Sequence, residues 1–145
     1  MTVGIKRLVW WGEILGDPQW IIAWVKKNGQ GQTGLGGTNK WDAIICYGIK
    51  PDNDIDIIEL NNDYSEGIKA SGGHPTAKPP KLWEHVIKRF DGQLVYEPFG
   101  GSGTTMIASE NLGRRSLLIE IEPQYCAVIL ERMTNAFPHL EIKRL

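Results

Sequence analysis

Residues 94–105 read Leu-Val-Tyr-Glu-Pro-Phe-Gly-Gly-Ser-Gly-Thr-Thr: an acid, then three glycines, then hydroxyl residues. The apolar start has strand character and 104–112 has helix character, so the glycines fall where a strand turns into a helix. Glycines at such a place permit tight turning and close approach of backbone to a ligand. The helix start behind them offers free N–H groups. A second acid, Glu120, closes the next predicted strand 17 residues past Gly103. That is near the spacing at which an acid takes ribose hydroxyls in nucleotide-binding folds. A phosphate loop would need Lys after its last glycine, where Thr104 stands; a dinucleotide loop would need a third glycine where Met106 stands. Glu97, ahead of the turn, would repel a pyrophosphate but suits an ammonium group. The pattern favours a nucleoside carrying a positive centre. A strand–turn–helix whose glycines serve only the turn has the same spacing.

Glu97-Pro-Phe-Gly-Gly-Ser-Gly-Thr-Thr105 resembles the DPFxGSGTT motif of S-adenosylmethionine-dependent DNA amino-methyltransferases, which methylate the exocyclic amino group of adenine or cytosine. Upstream, His74-Pro-Thr-Ala-Lys-Pro79 resembles the HPTxKP motif that precedes it in circularly permuted members. Downstream, Leu118-Ile-Glu-Ile-Glu-Pro-Gln-Tyr125 is similar to their IGIExxPxY segment. Three motifs in family order cover residues 74–133, and residues 7–48 match more loosely. The resemblance implies a Rossmann-like α/β methyltransferase sheet, S-adenosylmethionine as cofactor and DNA as substrate. It implies that Glu97 approaches the methionine amino group and that Phe99, Gly100, Gly101, Ser102 and Gly103 line the cofactor, with Pro98 and Thr104 beside them. Glu120 would take the ribose hydroxyls, Ile121 would pack on adenine, and Thr76 and Lys78 would help hold the methionine end. Glu for Asp at 97 and Gly at 100 are minor departures.

The family's catalytic [DNS]PP[YFW] motif has no match. Its acid or amide and first proline carbonyl bond the target amino group, and its aromatic stacks on the flipped base. Pro79-Pro80 is followed by Lys81, and in Asp17-Pro-Gln-Trp20 Gln19 replaces the second proline. The latter reads as a turn before a strand. In permuted members the catalytic strand precedes everything seen here, so the expected sheet is incomplete, with an open slot. A second copy of the chain filling that slot, a homodimer, is one expectation. Two functions follow: the cofactor-binding part of a methyltransferase, inactive alone, or a non-catalytic remnant or truncated gene product.

The elements that must position these residues are legible. Strands are expected at 7–13, 20–26, 41–48 and 55–60, with an irregular Gly-rich loop at 28–39 between the second and third. From residue 81 the pattern alternates: helices at 81–90, 104–112 (stopped by Gly113) and 123–137 (Pro123 in its first turn), strands at 94–99, 117–122 and 140–144. That alternation argues parallel strands joined by crossovers. The 145 residues read as a single domain: later strands and loops in 1–73, the cofactor-binding half in 74–145.

Composition agrees. With 41% hydrophobic and 23% charged residues and net charge -1, the chain is globular and lacks a basic nucleic-acid tail or an acidic tail. No apolar run reaches the ~18 residues of a membrane span, no signal peptide is visible, and Cys46 and Cys126 form no CxxC. A cytoplasmic protein with buried thiols is expected, and no Cys/His spacing suggests a metal. His85 and His139 are isolated and read as surface or packing residues. The six Trp read mainly as core, and Lys26-Lys27 and Arg114-Arg115 as solvated ends rather than phosphate contacts.

Overall fold

The computed structural model describes residues 13–27, 31–32, 38–48, 56–61 and 77–140. The chain divides into two compact units, 1–62 and 63–145. The expected strand 140–144 lies outside the described residues except for Leu140, and so do His74, Pro75 and Thr76. Of the expected strand 7–13 only Glu13 is described, and it begins a helical turn over 13–15.

The first unit holds β1 (Trp20–Lys26), β2 (Gly31–Gln32), β3 (Thr38–Asn39), β4 (Trp41–Cys46) and β5 (Ile57–Leu60). β1 is central: antiparallel to β4, with Trp20 opposite Cys46 and Val25 opposite Trp41, and parallel to β5, with Ala23 opposite Ile57. Alternation along β1 sends Ile22, Trp24 and Lys26 to one buried face, where Ile44 and Ile58 join them. Lys26 is only 7% exposed. Its ammonium lies 2.8 Å from the Asp42 carboxylate and 5.4 Å from the Trp24 ring centroid, which accounts for a lysine on this face. Lys26 is therefore no solvated end, whereas Lys27 pairs with Glu59 at 3.3 Å near the surface.

The 28–39 loop is not wholly irregular. β2 and β3 pair antiparallel, Gly31 opposite Asn39 and Gln32 opposite Thr38. The β1–β4 ladder continues through a 2.8 Å bond from the Lys26 amide to the Lys40 carbonyl. Both ends of the loop thus leave the sheet side by side, and β2 and β3 pair where hydrophobic periodicity gave no signal.

The second unit alternates as expected: α1 (Pro80–Ile87), β6 (Leu94–Glu97), α2 (Thr104–Asn111), β7 (Arg115–Leu118) and α3 (Pro123–Ala136). β6 and β7 are parallel, Leu94 opposite Arg115 and Glu97 opposite Leu118. β6 stops at Glu97 rather than 99, because the Phe99 amide, next in line for the ladder, bonds the Glu97 carboxylate at 2.9 Å, and the Gly100 amide takes the Ile119 carbonyl instead. β7 starts and ends earlier than 117–122. Gly113, at φ 65°, ends α2, and the Arg115 amide already bonds the Gln93 carbonyl at 2.9 Å. Glu120 therefore sits two residues beyond its strand. α1 ends at Ile87, and residues 88–90 form turns instead of a further helical turn.

Ile107 of α2 packs with Ile129 and Met133 of α3, and Leu118 of β7 joins that cluster. α1 buries Leu82, Val86 and Ile87. Arg114 donates to the carbonyls of Ile87 and Phe90 at 2.8 and 2.7 Å, satisfying the C-terminal end of α1. One half of the Arg114-Arg115 pair is thus a structural cap. Among the described residues the strands form three separate sheets, and no helix is long and apolar enough to cross a membrane.

Candidate cofactor site

The Gly-rich turn is stitched to the neighbouring strand end. The Ile119 amide donates to the Glu97 carbonyl at 2.9 Å, and the Gly100 amide donates to the Ile119 carbonyl at 2.8 Å. The turn closes on itself through the Gly103 amide and the Gly100 carbonyl, 2.9 Å apart. Gly103 adopts φ 75°, and a Cβ there would lie 2.9 Å from Ile129 Cγ1. Both backbone and packing therefore demand glycine at 103. α2 begins directly after it, with no side-chain cap on its first amides.

Two carboxylates bracket this turn, Glu97 on the last residue of β6 and Glu120 two residues beyond the adjoining parallel strand β7. Glu97 Oε1 accepts the Phe99 amide at 2.9 Å, and its Oε2 accepts the Thr105 hydroxyl at 3.2 Å. Glu120 Oε2 accepts the Gly101 amide at 2.6 Å, and its Oε1 accepts the Glu122 amide at 2.9 Å. Glu97 is aimed by one amide and one hydroxyl and Glu120 by two amides, and a carboxylate so held has further lone pairs with which to accept from a ligand. On the far side of the turn, the Arg132 guanidinium of α3 donates to the Ser102 carbonyl and, at 3.3 Å, to the Thr104 hydroxyl. Burial lowers the Arg132 pKa from its ordinary value.

The carboxylates open onto a cleft of about 450 Å³. Of the residues singled out from sequence, Lys78, Glu97, Phe99, Gly100, Gly101, Ser102, Thr104 and Glu120 line it. Pro98, Gly103 and Ile121 are not part of its wall, and Thr76 lies outside the described residues. Ile121 is nonetheless 95% exposed and Phe99 71%, so both present apolar surface to solvent. Sequence reading had not selected Trp83, Thr105, Glu122 or Tyr125, which also line the cleft. Glu122 and Tyr125 stood in the segment after Glu120, and Pro123 in the first turn of α3 places them together. Trp83 had no local signal: it comes from α1, whose packing sets its direction.

The chemistry of the wall is acidic and hydroxyl-bearing, with one lysine. It can accept hydrogen bonds from ammonium or hydroxyl groups, and it opposes phosphate. Among the described residues no His/Cys/Asp/Glu group could hold a metal ion.

A family model described as DNA methylase matches residues 11–131. The chain belongs to the DNA methylase family. Type II methyltransferase M2.DpnII of Streptococcus pneumoniae is 39% identical over 67 residues, 45% of this chain and 25% of that protein. The match thus spans about a quarter of that relative's length. Among solved structures, the M1.HpyAVI–SAM complex superposes with a TM-score of 0.65 at 22% identity, covering 90% of this chain and 71% of that one. PvuII DNA methyltransferase, described as cytosine-N4-specific, gives 0.63 at 18% identity, covering 97% and 57%. These likenesses establish the Rossmann-like α/β methyltransferase fold.

Proposed function

We propose that this chain is the S-adenosylmethionine-binding part of a DNA methyltransferase acting on the exocyclic amino group of adenine or cytosine. The observation that carries this reading is the pair Glu97 and Glu120, one ending β6 and one two residues beyond the adjoining parallel strand β7, both bonded around one Gly-rich turn. The cofactor fits the donor set: it bears an ammonium, a sulfonium and ribose hydroxyls, and no phosphate that three carboxylates would repel. In this reading Glu97 accepts from the ammonium, Glu120 from the ribose hydroxyls, and Lys78 with Thr76 meets the methionine carboxylate end. Phe99, Gly100, Gly101, Ser102 and Thr104 form the wall, Pro98 and Gly103 shape the turn that carries them, and the exposed Ile121 covers the adenine. When bound, the cofactor supplies an electrophilic methyl group.

The two units would form one cytoplasmic methyltransferase domain. A [DNS]PP[YFW] motif is absent from these 145 residues, which favours a chain inactive by itself. The same absence supports a second reading, a non-catalytic cofactor-binding remnant or truncated product. β6 is paired only with β7 among the described residues, so a second copy completing the sheet is part of the proposal. A monomer by sedimentation at micromolar concentration would remove that part.

Calorimetry with S-adenosylmethionine tests the site. Glu120→Ala leaves two hydroxyls without a charged acceptor, and affinity should fall about tenfold or more. Equal affinity of wild type and variant would take Glu120 out of the site.

A further inference from the structure

We propose that Arg132 is a positioning residue: from behind the Gly-rich turn it fixes the peptide plane between Ser102 and Gly103, and so the face that the turn presents to the cleft. The inference rests on the cofactor reading above for its functional consequence, but not for its geometry.

A trans peptide is planar, with its carbonyl and N–H pointing in opposite directions. At the Ser102–Gly103 peptide both ends are held. The Arg132 Nη1 donates to the Ser102 carbonyl, and the Gly103 amide donates to the Gly100 carbonyl at 2.9 Å. The same Nη1 reaches the Thr104 hydroxyl at 3.3 Å, which lies 3.4 Å from the Ser102 hydroxyl. Ser102 and Thr104 are buried, so without the guanidinium the Ser102 carbonyl would be left short of a partner inside the protein. Glycines on both sides of Ser102 give this peptide little intrinsic preference for one orientation. The external donor is what selects it.

A guanidinium is a costly choice for this place. It is partly desolvated, which is why its pKa falls. It also lies beside the uncapped N-terminus of α2, whose dipole disfavours a cation. Among the described residues no carboxylate lies within ion-pair distance of it. Support of the α2 N-terminus or a surface ion pair therefore does not explain it. What remains is the bond to the turn. The consequence reaches the cleft wall: the Gly101 amide, two peptides upstream of the Ser102–Gly103 peptide, is a donor that aims Glu120 at 2.6 Å.

The test compares Arg132→Met and Arg132→Lys in the full chain, reading Gly103 amide hydrogen exchange by NMR, S-adenosylmethionine affinity by calorimetry, and the urea midpoint. Met should speed Gly103 exchange and weaken affinity, each about tenfold or more. Lys carries a single ammonium able to reach the Ser102 carbonyl, and should recover much of both. If Met lowers the midpoint but leaves Gly103 exchange and affinity at wild-type values, Arg132 only supports packing and the proposal is overturned. If Met does not fold, Lys carries the decision: Gly103 exchange and affinity each about tenfold or more worse than wild type in a folded Lys variant would refute a donor role. If the wild type binds no cofactor while Gly103 exchange still responds to Met and is rescued by Lys, positioning stands and the cofactor reading fails.

Discussion

The Glu120 carboxylate and the Gly101 amide are joined by a 2.6 Å hydrogen bond in the wall of the cleft, and the Glu122 amide holds the other carboxylate oxygen at 2.9 Å. Two backbone donors thus converge on one side chain before any ligand arrives. Glu120→Gln keeps the shape but has a single acceptor oxygen, so one amide must face an NH2 group. Hydrogen bonds to a charged group contribute about 1.5–3 kcal/mol. The ligand-free variant should therefore lose about 1–3 kcal/mol in urea unfolding. An unchanged midpoint would mean that the carboxylate is not held as described.

Gly103 is a second place where a single atom decides. The added methyl of Gly103→Ala would meet Ile129 Cγ1 at 2.9 Å and Cγ2 at 3.1 Å, on a backbone at φ 75°. The left-handed conformation costs a non-glycine residue roughly 1–2 kcal/mol, and overpacking about 1–3 kcal/mol more. Denaturant unfolding should report the sum of these. Ile129→Ala removes the atoms that clash, so the double variant should lose less than the two single losses added. Simple additivity would refute the contact.

The strands and helices that carry strong periodicity were legible in the sequence. β1 falls at 20–26 as its β-branched and aromatic run implies, and α2 ends at Asn111, just ahead of the Gly113 expected to stop it. β7 begins two residues and ends four residues before the expected 117–122, because its limits come from its register against β6, and polar Arg115 and Ser116 give no strand signal. The cleft was half legible. The turn and its two acids stood in contiguous motifs, but Trp83 enters from a helix whose orientation depends on Leu82 and Val86 packing elsewhere. Arg132 lay beyond the motif strings at 74–79, 97–105 and 118–125, since a donor to a backbone carbonyl needs no particular spacing from it.

The two lysine pairs of the first unit make a contrast. Lys26 and Asp42 have side chains 6% and 14% exposed, whereas Lys27 and Glu59 are 55% and 57% exposed. Asp42→Ala strands a buried cation and should cost about 3–5 kcal/mol. Glu59→Ala removes a solvated partner and should cost about 0–1 kcal/mol. Urea midpoints at low and high salt check both, and the smaller effect should shrink further with salt. Equal losses would mean that Lys26 finds water.

The chain alone should transfer no methyl group to DNA. Chemistry on a base amino group needs an acceptor that draws hydrogen-bond density from that nitrogen and a platform for the flipped base. The nearest string, Asp17-Pro-Gln-Trp20, is built for neither. Gln19, in place of the second proline, donates its side-chain amide to the Asp17 carbonyl at 3.1 Å and accepts the Gly48 amide, so it ties the turn that leads into β1. Trp20 is half-buried as the first residue of that strand. The amino lone pair of the target base is delocalised into its ring, so nearness to a reactive methyl without such an acceptor leaves transfer slow. A net charge of -1 also gives little general pull on phosphates. Labelled-methyl transfer from S-adenosylmethionine to mixed-sequence DNA, at several salt concentrations, should stay at background. Turnover above background would overturn the expectation, and its loss in Asp17→Ala would make this turn the catalytic motif.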